Sequence, residues 1–115
     1  MNKVLYKICP MKDWEIAEQN AEFIGSGIDL IDKFIHFSTS KQVKETARLH
    51  FKGVKDLLLI KVKSDNLKIK WEISRNGQLF PHLYNKLLLT EVLSVYNLEL
   101  DNNNNHIFPS ELDDQ

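Results

Sequence analysis

The sequence predicts a single α+β domain, and three observations support this: the chain length, the alternation of apolar residues, and two segments with helical spacing. The chain has 115 residues, of which 43% are hydrophobic and 27% are charged, and this suits one domain with one core. Alternating or continuous apolar runs predict strands at 3–8, 34–38, 56–63 and 67–74. We expect 56–63 to be a central strand and 67–74 to be its partner.

The first predicted helix follows the first strand. Pro10 is a favourable first helical position, and Trp14, Ala17 and Ala21 recur at helical spacing, which predicts a helix over 10–22.

The second predicted helix follows the strand at 34–38. Thr39 and Gln42 have the spacing of a capping box, and an apolar stripe runs from Val43 to Phe51. Between the two helices, segment 28–33 is ambiguous between a helical turn and a loop.

The last third of the chain is less regular. Pro81 argues against a regular central strand around it, because proline lacks the N–H that a sheet needs. Segment 88–100 predicts the last strand or pair of strands. The acidic end beyond Pro109 is expected to be loosely held, so we divide the chain into a domain over 1–109 and a tail over 110–115.

Charge and composition exclude several classes of protein. Fifteen Lys and Arg against sixteen Asp and Glu give a net charge of −1, which disfavours a nucleic-acid binder. The single cysteine, Cys9, has no partner for an internal disulfide and suits a reducing compartment. No apolar run is long enough for a secretory signal or a membrane span. We expect a cytoplasmic protein without a membrane partner, and the oligomeric state stays open.

His36 and Ser38 interrupt an apolar strand and share one of its faces. An imidazole in a cleft can bond a hydroxyl or phosphate group, or carry a proton near neutral pH. The alternative is a core histidine that bonds a backbone carbonyl, and the sequence favours neither.

Glu72 lies on a second strand, on the same face as Lys68 and Lys70, while the opposite face, with Trp71 and Ile73, is expected to meet the core. A carboxylate beside a lysine is ordinarily a solvated ion pair. The functional interpretation places Glu72 at the rim of the same cleft as His36.

The FPHLY pentapeptide holds His82 and Tyr84 on a backbone stiffened by Pro81. This suits a site, and it equally suits a structural corner. A metal set of His36, Glu72 and His82 lacks the close spacing of a recognised motif, so no metal site is predicted.

Together these motifs resemble those of the bacterial "domain of unknown function 952" family, from about Leu5 to Pro109. Two positions depart from the family pattern: Lys7 replaces a histidine of the first strand, and Lys33 replaces a glycine. The motifs that carry the resemblance are Trp14 and Ala17, FIHFST at 34–39, Gln42-Val43, DLLLIKV at 56–62, KWE at 70–72 and FPHLY at 80–84.

The resemblance implies a fold similar to the ADP-ribosyltransferases and RNA 2′-phosphotransferases, with a split antiparallel β core around a nucleotide cleft. By that analogy Lys7 replaces the group that holds the ribose of NAD. The FIHFSTS segment supplies the second contact, and Glu72 is the nearest acidic candidate for transfer.

The resulting hypothesis is a protein that binds a nucleotide or other phosphorylated small ligand, such as NAD or ADP-ribose. One alternative is a non-catalytic interaction module with a degenerate pocket, and another is a small hydrolase. The catalytic candidates are His36 and Glu72, the ligand-binding candidates are Lys7, Ser38, Trp71, His82 and Tyr84, and the hydrolase would use His36, Glu72 and His82.

Overall fold

The computed structural model describes the backbone of residues 3–114 and the side chains of residues 3–112. The strands are β1 (Val4–Pro10), β2 (Glu22–Phe23), β3 (Ile35–His36), β4 (Leu57–Lys63), β5 (Ile69–Ile73), β6 (Leu79–Leu83), β7 (Leu87–Leu88) and β8 (Val92–Leu98). The helices are α1 (Met11–Asn20), α2 (Ile28–Asp32) and α3 (Val43–His50), with 3-10 turns at Arg75–Gly77, Leu89–Glu91 and Ser110–Asp114.

The strands form three antiparallel sheets, in the orders β1-β4-β8, β2-β7 and β3-β6-β5. The architecture is therefore an α+β domain, as predicted. The segment at 56–63 is central in the first sheet, which confirms that expectation. The pairing expected for β5 is wrong: β5 pairs with β6, because β1 and β8 already occupy both hydrogen-bonding edges of β4.

The continuous apolar run of β4 is explained by burial on both faces of the first sheet. One face packs against α1, the short second sheet and the third sheet, and the other packs against α3 and the chain end. The first core cluster includes Leu5, Cys9, Trp14, Phe37, Leu58, Ile60 and Leu83, and the second includes Tyr6, Ile8, Val43, Ala47, Leu59, Leu98 and Leu112.

The first and third sheets are joined where Tyr6 and Ser38 exchange two backbone hydrogen bonds of 2.8 Å each. This bridge places β3 beside the middle of β1. As a result Lys7, which shares the inner face of β1 with Leu5 and Cys9, lies close to the residues that precede β3.

Pro81 lies inside β6, the central strand of the third sheet, so the expectation that it breaks a central strand is wrong. The Pro81 carbonyl accepts a hydrogen bond from Phe37, and the His36–His82 pair is the last of the β3 ladder. The N–H that Pro81 lacks would point to the same side as its carbonyl, toward Phe37, so Pro81 cannot return that bond and the β3–β6 ladder ends at the His36–His82 pair.

The ambiguous segment at 28–33 forms α2, a single short helix. Gly27 precedes it with φ of 54°, and Lys33 ends it in the left-handed region with φ of 66°. Within the described residues, no helix is long and apolar enough to cross a membrane.

The chain end is held, so the expectation of a loose tail is wrong at Glu111 and Leu112. Leu112 is 5% exposed and belongs to the second core cluster. Glu111 accepts hydrogen bonds from Lys61 Nζ, at 2.6 Å, and from the Tyr96 hydroxyl. The hydrogen bond from Lys61 lowers the pKa of Glu111, with a smaller effect from Tyr96. A single leucine among acidic residues therefore anchors the end of the chain.

Replacement of Leu112 by alanine is expected to lower the free energy of unfolding by about 2 kcal/mol, at the low end of the range for buried leucines because a chain end can shift into the space. Urea unfolding at fixed protein concentration measures this value. The matched control is Ile107→Ala, whose side chain is 55% exposed and should change stability by less than about 0.5 kcal/mol. Equal effects of the two substitutions would show that Leu112 does not anchor the tail.

Candidate functional site

The register of the third sheet brings two histidines together. His36 on β3 lies opposite His82 on β6, and the two ring centroids are 5.2 Å apart in an edge-on arrangement. Lys70 on β5 lies on the other side of His82, and Glu72 follows on the same face. This face of the sheet gathers polar groups from all three strands.

Glu72 is held by two neighbours rather than by a solvated lysine. His82 Nδ1 donates to Glu72 Oε1 at 2.8 Å, and the Tyr84 hydroxyl donates to the same oxygen at 2.7 Å. The hydrogen bond from Tyr84, and then that from His82, lowers the pKa of Glu72. The same contact with Glu72 raises the pKa of Tyr84. Lys70 instead places its ammonium 5.2 Å from the centre of the Tyr84 ring.

Phe34 joins these groups into one aromatic cluster. Its ring centroid lies 4.4 Å from that of His36, 4.3 Å from that of His82 and 4.8 Å from that of Tyr84. Phe34 is two residues before His36 in the strand expected at 34–38 and so shares a face with it, although no role in the site was predicted for Phe34. The shared face was the signal that could have found it. We call the set of Phe34, His36, Glu72, His82 and Tyr84 the histidine cluster.

Asp29, on α2, is the most important residue that sequence analysis missed. It is 1% exposed and accepts hydrogen bonds from the backbone N–H groups of Ser26 and His36, at 3.0 and 3.1 Å. His36 Nδ1 lies 2.6 Å from Asp29 Oδ1, and Lys7 Nζ lies 2.6 Å from Asp29 Oδ2. Asp29 therefore both orients the His36 ring and neutralises a buried lysine.

The environment of Asp29 keeps its carboxyl ionised. Burial raises the pKa of Asp29, but the hydrogen bond from His36, the charge of Lys7 and the Ser26 N–H together outweigh it and leave the pKa below 3.8. Gly25 makes room for this residue, because a Cβ atom there would lie 2.7 Å from the Asp29 Cβ. The Gly-Ser-Gly sequence before α2 was the only local signal of this close approach.

His36 contacts carboxylates on both ring nitrogens, since its Nε2 lies 3.1 Å from Asp32 Oδ2. The alternative of a core histidine bonded to a backbone carbonyl is therefore wrong for His36. His82 likewise bonds a carboxylate, since its Nδ1 donates to Glu72. In both rings Nδ1 is hydrogen-bonded to a carboxylate, an arrangement that fixes the orientation and the tautomer of the ring.

Lys7 lies beside the histidine cluster but faces inward. Its side chain is buried and its ammonium is paired with Asp29. The expectation that Lys7 donates directly to a ribose or phosphate does not match this geometry. Lys7 contacts Asp29, and Asp29 in turn contacts the His36 ring.

Ser38 and Trp71 do not join the histidine cluster. The Ser38 hydroxyl is buried 3.3 Å from the Thr46 hydroxyl, which also receives a hydrogen bond from Arg75. Trp71 lies on the opposite face of β5 and is exposed, as is Ile73. The expectation that Trp71 and Ile73 pack in the core is wrong, because β5 is an edge strand and its outer part extends past the core.

A small cavity of about 180 Å³ opens beside the histidine cluster. Of the candidates from the sequence, only Tyr84 lines it, together with Phe34 and Asp29 of the surrounding site. Its other lining residues are Ile24, Leu30, Lys33, Ile35, Leu83 and Asn85.

The described part of the chain contains neither a metal-binding cluster nor a reactive thiol. No group of three or more His, Cys, Asp or Glu side chains there is placed to hold a metal ion. Burial raises the pKa of the Cys9 thiol to about 12, so this residue is not a thiolate nucleophile.

Comparison with known proteins places the chain in a family. The family model described as "Protein of unknown function (DUF952)" matches residues 8–95. The chain belongs to the DUF952 family. Protein CC0527 from Caulobacter crescentus is 39% identical in sequence to this chain. Its crystal structure has a TM-score of 0.90 to this structure, with 96% of this chain and 98% of that chain covered.

The solution NMR structure of CC0527 has a chain that is 41% identical to this one, with a TM-score of 0.81 and 90% of each chain covered. None of the curated proteins compared with the chain is similar to it. These comparisons confirm the family resemblance. They show no similarity to the ADP-ribosyltransferases.

For this DUF952 protein, Asp29→Asn is expected to lower the free energy of unfolding near neutral pH by about 3–5 kcal/mol, because it leaves Lys7 charged and buried without a partner. The pKa of Asp29 is lowered in the fold, so its stabilising effect is present above the ordinary value and is lost as the pH falls through the folded value. The difference between native chain and variant should therefore shrink in acid.

Denaturant unfolding at several pH values measures the Asp29 effect, with Asp32→Asn, at an exposed carboxylate, as the matched control. The double variant Lys7→Met with Asp29→Asn removes the unpaired charge and should recover part of the loss. If Asp29→Asn costs no more than the Asp32 control, the buried pair does not stabilise the fold.

Glu72→Gln is expected to lower the pKa of Tyr84 toward its ordinary value of 10.0, because the phenol loses a charged acceptor that favours its protonated form. The ultraviolet titration of tyrosine absorbance measures this, and subtraction of the Tyr84→Phe curve isolates the residue. Glu18→Gln, at an exposed glutamate of α1, is the control. Identical Tyr84 titrations in the two glutamate variants would contradict the observed contact.

Proposed function

We propose that this chain binds a small nucleotide, of the class of NAD or ADP-ribose, at the histidine cluster, in a cleft similar to that of the ADP-ribosyltransferases. The ligand would be recognised first through its ribose hydroxyl groups. The DUF952 family relationship establishes no activity, so the proposal depends on the geometry of the site.

The observation that carries the proposal is the hydrogen bonding and exposure of the Glu72 carboxylate. Both of its hydrogen bonds go to Oε1, and within the described residues Oε2 has no partner. The side chain is 33% exposed, and its lowered pKa keeps it ionised at neutral pH. An ionised carboxylate held in place with one oxygen available is a strong acceptor for hydroxyl groups.

The surroundings of Glu72 suit the rings of such a ligand. Phe34 and the exposed Tyr84 present aromatic surfaces beside the small cavity, and aromatic faces stack on planar bases. Asp32 and Glu72 give the open part of the site two carboxylates, which favours hydroxyl groups or a cationic ring there, while the charge of Asp29 is balanced by Lys7. Phosphate groups would then lie at the rim, near Lys33 and Lys70.

A second candidate is an acid–base reaction, either transfer from NAD or the hydrolysis considered for His36, Glu72 and His82. The observation that favours it is the pair of imidazoles, each with Nδ1 held by a carboxylate. A carboxylate in this position orients a histidine for proton transfer. In this candidate His36, the more exposed ring, would exchange the proton with the substrate.

Isothermal titration with NAD and with ADP-ribose tests the proposed binding. Heat of binding is expected for at least one of them, and Glu72→Gln should weaken it by about tenfold or more, because a charged acceptor is lost. Glu18→Gln is the matched control and should bind as the native chain does. Absence of heat with both ligands, together with unchanged melting curves, would refute the proposal.

Release of nicotinamide from NAD separates binding from catalysis. If the chain catalyses transfer from NAD or hydrolysis of NAD, His36→Gln should abolish the release of nicotinamide while ADP-ribose still binds. If the native chain binds ADP-ribose and releases no nicotinamide, the non-catalytic module is the better description.

A further inference from the structure

A second cavity, of about 250 Å³, lies between α3 and the loop that follows β8. It shares no residue with the histidine cluster, and it is on a different face of α3 from Thr46, the residue that Arg75 contacts. Its lining contains no carboxylate. The lining residues are Lys44, Ala47, Arg48, Lys52, Asn105, His106 and Phe108.

Three of these residues are cations spaced four apart along the chain. Lys44 and Arg48 are one helical turn apart on α3, and Lys52 follows just after the helix ends. Like charges at this spacing repel one another on a helix. Within residues 3–112, the side chains of Arg48 and Lys52 form no hydrogen bond and no ion pair. The chain as a whole has a net charge of −1, so Arg48 and Lys52 form a local concentration of positive charge that would attract a bound anion.

The opposite wall of the cavity is fixed by the backbone. His106 Nε2 donates to the Val54 carbonyl at 2.8 Å, and the Gly53 N–H donates to the Asn104 carbonyl at 3.0 Å. The Asp101 carboxylate accepts the N–H of Asn105 at 3.0 Å. The backbone at Asn105 and the His106 ring are therefore held in place before any ligand arrives, which reduces the ordering cost of binding.

The floor of the cavity is apolar. Ala47 belongs to the second core cluster and Phe108 packs against it. A cavity of this size lies just below the roughly 300–1,000 Å³ of pockets for drug-sized ligands, so it suits a small ligand. The lining thus combines a cationic edge with one aromatic surface.

We propose that this cavity binds a small phosphorylated molecule with a planar ring, a nucleoside monophosphate by chemical class. The Arg48 guanidinium can form two parallel hydrogen bonds to a phosphate group, and Lys52 adds a second positive charge. Asn105 supplies an amide donor and acceptor for the ring, which lies against Phe108. This site is independent of the function proposed above.

The test is an amide-detected NMR titration of the whole chain with adenosine monophosphate, inorganic phosphate and adenosine. Adenosine monophosphate should shift the signals of Ala47, Arg48 and Asn105 and bind more tightly than either fragment. Arg48→Gln should weaken its Kd by about tenfold or more. The matched control, Lys12→Gln, removes the same charge from an exposed position on α1 and should leave the Kd unchanged.

Three results would overturn the assignment. Equal weakening by Lys12→Gln would show attraction by overall charge alone. Equal affinity for phosphate and adenosine monophosphate would show that contact of the ring with Phe108 does not contribute to binding. Shifts confined to His36, His82 and Tyr84 would place the nucleotide at the histidine cluster and leave this cavity without a ligand, so the two proposals fail separately. Arg48 is exposed, so Arg48→Gln should melt at the temperature of the native chain, and melting curves check that the variant is folded.

Discussion

The buried ion pair of Lys7 and Asp29 is the interaction on which the rest of the site depends. Lys7 projects from the inner face of β1 among Leu5 and Cys9, where an unpaired charge would be costly. The partner charge comes from α2, a helix of only five residues. Asp29 also accepts two backbone N–H groups and the His36 ring. One carboxylate thus fixes the segment before α2, the end of β3 and the orientation of an imidazole.

From this pair a connected set of contacts crosses the third sheet. Asp29 orients His36, Phe34 packs against the rings of His36 and His82, and His82 in turn holds Glu72. Such a network is rigid when every member is satisfied, and no buried side-chain N or O atom in the described residues lacks a hydrogen bond. The rigidity explains how a site can be built on two-residue and five-residue strands: side-chain contacts supply the order that a long ladder would otherwise give.

The parts of this fold that were predictable from sequence are those set by local pattern. Alternation in β1 and the apolar run of β4 marked both strands, and polar residues in apolar surroundings marked His36, Glu72, His82 and Tyr84. Their convergence depends on the β3-β6-β5 order, which no local signal encodes, and the sequence pointed instead to a β4-β5 pair. Asp29 was missed for a similar reason: an aspartate near two glycines is typical of a surface turn, and only the long-range approach of Lys7 makes it a buried group. Trp71 and Ile73 show the converse error, because apolar periodicity indicates which residues share a face but not whether anything covers that face.

The contacts of His36 indicate how a ligand would enter the histidine cluster. Asp29 is ionised and can only accept, so His36 Nδ1 carries a proton toward it. Nε2 faces Asp32 at 3.1 Å, and a ligand acceptor that approached Nε2 would have to take the place of that carboxylate. Asp32 can yield because it is exposed and lies at the last residue of α2, where Lys33 has φ of 66°. Asp29, by contrast, is buried and held by four donors, so it stays in place. The two aspartates of one short helix therefore have different roles. Asp29 holds the imidazole, and Asp32 occupies the position beside Nε2 where a ligand acceptor would bind.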